Sequence, residues 1–314
     1  MNSEKPLRLH KSKILIQTIL RYKYFYLMLL PVLIWYIVFA YAPMYGITLA
    51  FKTFNYSKGI LGSPWVGLKN FQDLMTDADF WSAFKNTIII GFGKLLFCFP
   101  VPIILSILLN ECIFHRGKKI VQTVLTFPHF ISWVVLAGIL TNILGNSGVV
   151  NQLIGLAGKD PVAFLSNSSI FRPVLYFSQA WKETGWDSII YIAALTGISP
   201  ELYEAAQIDG VNRWQKIRYI SWPGIRPTVA ILLILAVGQM LSVGSSFDQI
   251  FNLYSSPVYS VADTIDTYVY RTTFTVGADF GYMTAVGFLK SIINLAMIFL
   301  ANTIVRKTGE QGLF

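Results

Sequence analysis

The most informative stretch of the chain is SPELYEAAQIDGVNRWQKIRYISWPGIRP, residues 199–227. It is a long polar and basic interval between apolar spans, and it carries two helix signals. Ser199 is a preferred N-cap residue, Pro200 suits the first helical position, and Gly210 supplies a stop. Asn212 can start a second short helix, which Pro223-Gly224 is expected to break. The pattern predicts two short amphipathic helices joined at a glycine, a compact shape suited to docking.

The composition excludes an ordinary soluble domain. The 314 residues are 54% hydrophobic and only 13% charged, which predicts an integral membrane protein. The net charge of +9 could indicate nucleic-acid binding, but the basic residues lie in patches between apolar spans and are better explained as topology determinants. With only Cys98 and Cys112 and no zinc-like spacing of His and Cys, we expect neither a disulfide framework nor a metal site.

Apolar runs long enough to cross a bilayer predict six transmembrane helices in an all-α membrane protein. Pro31 and Pro43 are expected to bend or end the first span, and Pro128 lies within the third. The fourth span is less apolar near its start, so we expect its first half to be interrupted. The expected spans are Phe25–Ala50, Thr87–Asn110, Ile120–Leu144, Val174–Ile198, Thr228–Val243 and Met283–Val305.

The distribution of Lys and Arg orients these spans, because cytoplasmic loops carry the excess of both. With both termini inside, the cytoplasmic segments hold 15 Lys and Arg residues and the outer loops hold 7. The predicted organisation is a cytoplasmic basic arm at 1–24, a six-span membrane domain at 25–305 and a cytoplasmic tail at 306–314. The 199–227 segment then faces the cytoplasm. Apolar residues at helical spacing in the arm are typical of a helix that lies on the membrane surface.

Charged residues inside the predicted spans are candidates for a substrate path, because each is costly in lipid and should face the bundle interior or water. The candidates are Lys94, Lys182, Glu183, Asp187 and Lys290. A structural role is the alternative for each of them. Lys182 and Glu183 can sit at the outer interface, and Lys94 or Lys290 can pair with another helix.

Aromatic residues of the fourth span offer a second kind of contact. Trp181, Trp186 and Tyr191 can stack on sugar rings, since flat apolar ring faces pair with C–H surfaces. Anchoring at the membrane interface is the commoner use of Trp and Tyr.

The sequence carries no motif for catalysis. The Gly-Lys pairs at 93–94, 117–118 and 158–159 lack the upstream Gly and the following Ser or Thr of a phosphate-binding loop. The sequence also lacks a convincing nucleophile elbow, paired His ligands and a dinucleotide-binding loop. We therefore expect no catalytic residue and no cofactor on this chain, with any nucleotide hydrolysis on another chain.

The 199–227 segment resembles the signature loop of ABC-importer permeases. The residues that carry the resemblance are Glu204, Ala205, Ala206, Asp209, Gly210, Ile220 and Pro223. The one departure is Trp222, where the family usually has Leu. The resemblance implies that the loop is cytoplasmic and that its first helix rests in a cleft of an ATPase subunit, where it transmits ATP-driven closure to the membrane helices. The small side chains of Ala205 and Ala206 would permit close approach of the ATPase subunit, and Gly210 would permit a sharp turn.

The resemblance covers nearly the whole chain. APMYGITLAFKTFN, SPWVGLKNF, WKETGWDSIIYIAALTGISPELYEAAQIDG and NTIVRKTGEQGLF look like carbohydrate-uptake permeases of the maltose-type group, and most like its polysaccharide permease branch. This implies a type I importer fold in the lipid of the bacterial inner membrane. The implied partners are a second homologous permease subunit in a heterodimer, two ATPase subunits that bind ATP and Mg, and an extracytoplasmic solute-binding lipoprotein, with no nucleic acid. The expected function is import of an oligosaccharide, sometimes an acidic one, by alternating access.

Two other classes of function compete with this expectation. An ion-gradient-driven secondary transporter would use Glu183 and Asp187 as coupling carboxylates, but six spans without an internal repeat, together with the signature loop, argue against it. A membrane scaffold or assembly factor would not need a cytoplasmic projection of this spacing. Co-purification of an ATPase would separate an importer from both.

Overall fold

The fold was obtained as a computed structural model that describes residues 18, 20–112, 115–241, 246–277, 279–310 and 312–313. The helices up to residue 196 are α1 (Lys23–Phe51), α2 (Gly59–Gly62), α3 (Lys69–Thr76), α4 (Ala78–Phe97), α5 (Pro100–Asn110), α6 (His115–Thr126), a 3-10 turn (Phe127–Phe130), α7 (Trp133–Leu144), α8 (Val149–Leu156) and α9 (Ser168–Thr196). The helices that follow are α10 (Pro200–Ile208), α11 (Arg213–Gln239), α12 (Phe247–Leu253), a 3-10 turn (Ser256–Val258), α13 (Tyr259–Ala262), α14 (Ile265–Arg271), a π-turn (Thr272–Val276) and α15 (Phe280–Lys307). The predicted all-α fold is confirmed.

Five stretches within the described residues are long and apolar enough to cross a membrane. They are Lys23–Phe51, Ala78–Asn110, Trp133–Leu156, Arg213–Gln239 and Phe280–Lys307. The expected fourth span corresponds to α9, which has 29 residues but carries three charged residues near its middle. Composition and length therefore support five of the six expected spans. The second of them begins at Ala78, earlier than the expected Thr87.

The expected third span, Ile120–Leu144, is not one helix. α6 ends at Thr126, and the Phe127–Phe130 turn separates it from α7. Pro128 in this turn has no N–H group to continue the helical hydrogen bonds. Ser132 then caps α7, because its hydroxyl oxygen accepts a hydrogen bond from the backbone N–H of Val135 at 3.3 Å.

Prolines elsewhere are accommodated inside helices. Pro31 lies within α1, which continues as a π-turn and then a 3-10 stretch, with Pro43 at the start of the latter. α11 contains a π-turn at Ile217–Ser221, immediately before Pro223-Gly224. The expected break at Pro223-Gly224 is wrong, because the wider turn lets the helix continue through the proline.

The expected interruption of the fourth span is also wrong. α9 runs without a break from Ser168 to Thr196, past Pro173 and the charged residues of its middle. Its polar side chains are bonded to neighbouring elements, as described below. The helix therefore does not need to unwind to satisfy them.

Segments that were expected to be outer loops contain several short helices. The Asp77 side chain helps to hold these segments in place. One of its carboxylate oxygens caps α4 by accepting from the N–H groups of Asp79 and Phe80, at 2.8 and 3.2 Å. The other accepts from the hydroxyls of Tyr268 and Tyr282 at 2.7 and 2.5 Å. Burial tends to raise the pKa of Asp77, but these hydrogen bonds outweigh burial and hold the pKa below its ordinary value. This cap joins α4 to α14 and α15.

Four clusters of buried apolar side chains hold the bundle together. The cluster around Phe171 joins α4, α9, α12 and α13, and the cluster around Phe80 joins α3, α4, α14 and α15. Ile225 lies in a cluster between α5, α9 and α11, and Ile234 in one between α11 and α15. α9 also contacts α6 and the Phe127–Phe130 turn, so it is the central helix of the bundle.

The loops gather at two ends of the bundle, as the span order predicts. At the end that contains residues 199–227, Lys216 approaches Glu111 at 3.9 Å and Arg226 pairs with Glu310 at 3.0 Å. At the opposite end, the N–H of Phe54 donates to Asp279 at 3.3 Å.

That the first end and both termini face the cytoplasm stays a prediction, as do the domain bounds. The predicted surface helix of the basic arm lies outside the described residues.

We expect Gly185 to be essential for packing in α9. A Cβ atom there would lie 2.1 Å from the carbonyl oxygen of Leu125 and 2.5 Å from the backbone nitrogen of Thr126. Gly185→Ala should therefore force α6 and α9 apart and lower the free energy of unfolding by about 1–3 kcal/mol, measured by thermal unfolding in detergent. Gly138→Ala is the matched control, because Gly138 is helical and has no atom within 4 Å of an added Cβ. Equal stability of the two variants would contradict this packing role.

Candidate functional site: a docking segment and an intramembrane cavity

The docking segment, residues 199–227, projects from one end of the bundle. Pro200 lies in the first turn of α10, although the Ser199 side chain makes no capping hydrogen bond. Gly210 has a φ angle of 70°, the left-handed conformation that favours glycine, so the predicted sharp turn is present. Asn212 and Gln215 form a capping box, with both side-chain-to-backbone hydrogen bonds at 2.9 Å. The segment is therefore two helices joined by a defined turn.

Several large apolar side chains of the docking segment are uncovered. Leu202, Ile208, Trp214 and Tyr219 are 54, 87, 72 and 67% exposed. Tyr203 anchors the inner side through a 3.0 Å hydrogen bond between its hydroxyl and that of Ser221. Exposed apolar patches on an ordered element are typical of protein–protein contacts.

The predicted coupling residues fall on both sides of this segment. Glu204, Ala205, Asp209, Gly210 and Pro223 are exposed, Ile220 is half-buried and Ala206 is buried. The exposed apolar residues Leu202 and Ile208 were not singled out from the sequence. Their spacing of six on a nine-residue helix gave no clear stripe.

The middle of α9 carries a compact charge network. The Glu183 carboxylate lies 3.0 Å from the Lys182 ammonium and 2.5 Å from Nδ1 of His129. The Lys182 ammonium also donates to the carbonyl oxygen of His129 at 2.6 Å. The alternative that Lys182 and Glu183 have a structural role is consistent with these contacts, and their position relative to the outer interface stays a prediction. Both residues hold the Phe127–Phe130 turn against α9 and satisfy their own charges in doing so.

The three aromatic residues that were predicted to contact sugar lie in different parts of the structure. The ring of Trp186 stacks on His129, with ring centres 4.3 Å apart and planes 3° apart, so one of its faces is already covered. Trp181 lines an apolar cavity of about 510 Å³ between α7, α8 and α9. Tyr191 is buried and lines the polar cavity described next.

Two adjoining cavities of about 210 and 280 Å³ lie between α4, α5, α9 and α11. Phe99, Asp187 and Gln239 line both, and we call them together the Lys94 cavity. The Lys94 ammonium donates to the Gln179 side chain at 3.3 Å and to the Ser246 hydroxyl at 2.9 Å. This cavity is polar, although it lies between membrane-spanning helices.

The structure brings together three of the predicted path residues and separates the others. Lys94, Glu183 and Asp187 all line the Lys94 cavity. Lys290 lies in another cavity, where its ammonium pairs with the carboxylate of Asp266. Gln179 is a lining residue that the sequence analysis missed. Its spacing of four and eight residues before Glu183 and Asp187 on one helical face was an available signal.

A multi-span helical bundle with a polar cavity between its spans and a docking projection at one end has the features of a membrane transport permease. Residues 103–310 match the family described as "binding-protein-dependent transport system inner membrane component". The match covers more than half of the chain, and the chain belongs to this family. It is therefore an inner-membrane transport component with several membrane-spanning helices.

Individual relatives extend this likeness over the full length. The polygalacturonan/rhamnogalacturonan transport system permease protein YteP of Bacillus subtilis is 41% identical over 97% of this chain and 94% of the relative. Protein LplB of the same organism is 40% identical over 94% of this chain and 92% of its own length. A crystal structure of a bacterial ABC transporter involved in the import of the acidic polysaccharide alginate superimposes with a TM-score of 0.86. It is 41% identical, with 93% of this chain and 98% of that chain covered.

We expect the Lys182–Glu183 pair to serve structure, and a double replacement can show this. Glu183→Leu leaves the buried Lys182 ammonium without its carboxylate partner, which should lower the free energy of unfolding by about 3–5 kcal/mol. Adding Lys182→Met removes that charge and should restore most of the loss. Thermal unfolding of both variants in detergent measures the effect. A double variant no more stable than Glu183→Leu would contradict this role.

Proposed function

We propose that this chain is a permease subunit of an ATP-driven importer that moves an oligosaccharide, delivered by an extracytoplasmic solute-binding protein, across the membrane by alternating access. The observation that carries the proposal is the ordered docking segment with its uncovered apolar side chains, within a chain of this family. The named relatives support a carbohydrate substrate, since they include a polygalacturonan permease and an alginate importer.

The docking segment would contact a separate ATPase subunit. Exposed Glu204 and Ala205 on α10, the Gly210 turn and the exposed apolar residues Leu202 and Ile208 offer a surface for a cleft on that subunit. ATP and Mg²⁺ would be bound by two such subunits, and this chain would hydrolyse no nucleotide. The docking end and both termini would then face the cytoplasm.

The remaining partners follow from the same proposal. A second, homologous permease would complete a heterodimer and close the translocation path. A periplasmic binding protein would deliver the sugar at the opposite end. A related structure supports this, since it shows the alginate ABC transporter in complex with an alginate pentasaccharide-bound periplasmic protein. That structure has a TM-score of 0.86 and 39% identity to this chain, with 95% of this chain and 99% of that chain covered.

The Lys94 cavity would form part of the substrate path. The ammonium of Lys94 can donate a charge-assisted hydrogen bond to a sugar carboxylate, while Gln179 and Asp187 can bind hydroxyl groups. Glu183 also lines the cavity, but its carboxylate is already paired with Lys182 and His129. The positive charge of Lys94 is opposed by Asp187 in the same lining, so an acidic oligosaccharide is supported by the Lys94 contact together with the polygalacturonan and alginate relatives.

Substitutions in the docking segment test coupling. We expect Glu204→Lys and Gly210→Trp to reduce sugar uptake into proteoliposomes at least about fivefold, the range of typical coupling between sites, while membrane insertion stays intact. Both changes disturb the surface that would enter the ATPase cleft. ATPase activity in the same vesicles shows whether hydrolysis is uncoupled from transport.

Gly158→Trp is the matched control for these variants. Gly158 also has a positive φ angle, 73°, with no atom within 4 Å of an added Cβ, but it lies outside the docking segment. This variant should transport normally. Normal uptake by both Glu204→Lys and Gly210→Trp would contradict the coupling role.

Replacement of Lys94 tests the substrate path. Lys94→Met removes a charged donor, so we expect uptake of oligogalacturonate to fall about 10- to 100-fold, corresponding to a charged hydrogen bond of about 1.5–3 kcal/mol. Lys94→Arg keeps the charge and should retain more uptake than Lys94→Met. Radiolabelled oligogalacturonate measures both in proteoliposomes with equal amounts of assembled transporter. Equal uptake by wild type and Lys94→Met would overturn this assignment.

A further inference from the structure

A larger cavity, with a mixed apolar and polar lining, lies apart from the Lys94 cavity. It has a volume of about 700 Å³, lies between the end of α11, α12, α14 and the N-terminal half of α15, and shares no lining residue with the Lys94 cavity. We call it the α15 cavity. The two are close, because Met240 lines the Lys94 cavity and the next residue, Leu241, lines the α15 cavity.

One wall of the α15 cavity carries polar groups without internal partners. The side-chain oxygens Thr273 Oγ1 and Asn294 Oδ1 are buried and have no hydrogen-bond partner within the described part of the chain. Leaving such a group unsatisfied is unfavourable for folding. Both residues line the cavity, so rotation of either side chain would present its unsatisfied oxygen to a polar occupant.

The charge on this wall is balanced. The ammonium of Lys290 donates to the carboxylate of Asp266, and both residues line the cavity. The pair adds no net charge, so the wall has no excess positive charge for a sugar carboxylate. Its free hydrogen-bonding capacity suits hydroxyl groups, which both donate and accept.

Aromatic rings also line the cavity. The rings of Phe247, Tyr270 and Phe274 form a connected row, with ring centres 5.7 Å apart between the first two and 5.0 Å apart between the last two. All three line the cavity. Aromatic faces pack against the apolar C–H faces of a ring whose edge carries polar groups.

We propose that the α15 cavity is a second saccharide subsite, which binds an oligosaccharide through the polar and the aromatic residues of its lining. Its volume is within the range of small-molecule sites. This proposal rests on the proposed function, and it adds a site on α14 and α15 that recognises the uncharged part of the sugar. The Lys94 cavity and the α15 cavity would then contact different units of one chain.

Cysteine labelling of the assembled transporter tests this subsite. In a Cys98→Ala/Cys112→Ser background, Ser291→Cys reports on the α15 cavity and Gln239→Cys on the Lys94 cavity, since these residues line them. A small methanethiosulfonate reagent is applied to the transporter in nanodiscs, with the solute-binding protein either empty or loaded with oligogalacturonate. We expect the loaded protein to slow labelling of both cysteines about tenfold when the sugar is near ten times its Kd, by mass action.

The outcomes separate the subsite from the importer proposal. Protection of Gln239→Cys without protection of Ser291→Cys overturns the subsite and leaves the importer standing. A Ser291→Cys residue that does not react at all in the assembled transporter is covered by a partner helix, which also overturns the subsite. Protection of neither cysteine, with both reactive, counts against the importer proposal and the subsite together.

A second variant distinguishes binding from packing. Asn294→Leu removes the orphaned oxygen, so it should abolish protection of Ser291→Cys while protection of Gln239→Cys remains. If Asn294 served packing alone, this variant would leave the protection of both cysteines unchanged. That result would overturn the role of Asn294 in the subsite.

Discussion

The carboxylate of Glu183 is the contact on which the centre of the bundle depends, because it binds Lys182 and His129 together in the middle of α9. A lone charge buried in the bundle would be expensive, and mutual pairing offsets that cost. The same contact holds the Phe127–Phe130 turn against α9, where Gly185 permits close approach of the backbone. Pairing and packing at one place thus allow a continuous, charged helix to cross the bundle.

Two continuous connections join the docking segment to the Lys94 cavity. α9 carries Asp187 and ends three residues before Ser199, and α11 runs from Arg213 in the docking segment to Gln239 at the cavity. The π-turn before Pro223 keeps α11 unbroken. A displacement of the docking segment would therefore reach both sides of the cavity, through the unbroken α11 and through the short 197–199 connection to α9.

The sequence predicted the fold class, most span positions and the Gly210 turn, because each depends on composition or on local backbone preference. The break at Pro128 and the continuity of α9 and α11 depend on tertiary contacts. A proline follows the end of α6, whereas other prolines lie inside α1 and α11. The sequence alone does not indicate which of these prolines ends a helix. The partner of Lys290 could not be predicted, since Asp266 lies 24 residues away in a segment expected to be a loop.

Co-purification is the most direct test of the importer account. The tagged chain is extracted from its native membrane in mild detergent, the bound proteins are identified, and ATPase activity is assayed with and without Gly210→Trp. The importer account predicts recovery of a second permease and an ATPase, with assembly or activity lost in the variant. Recovery of this chain alone, with ion-gradient-dependent uptake unaffected by Gly210→Trp, would contradict it.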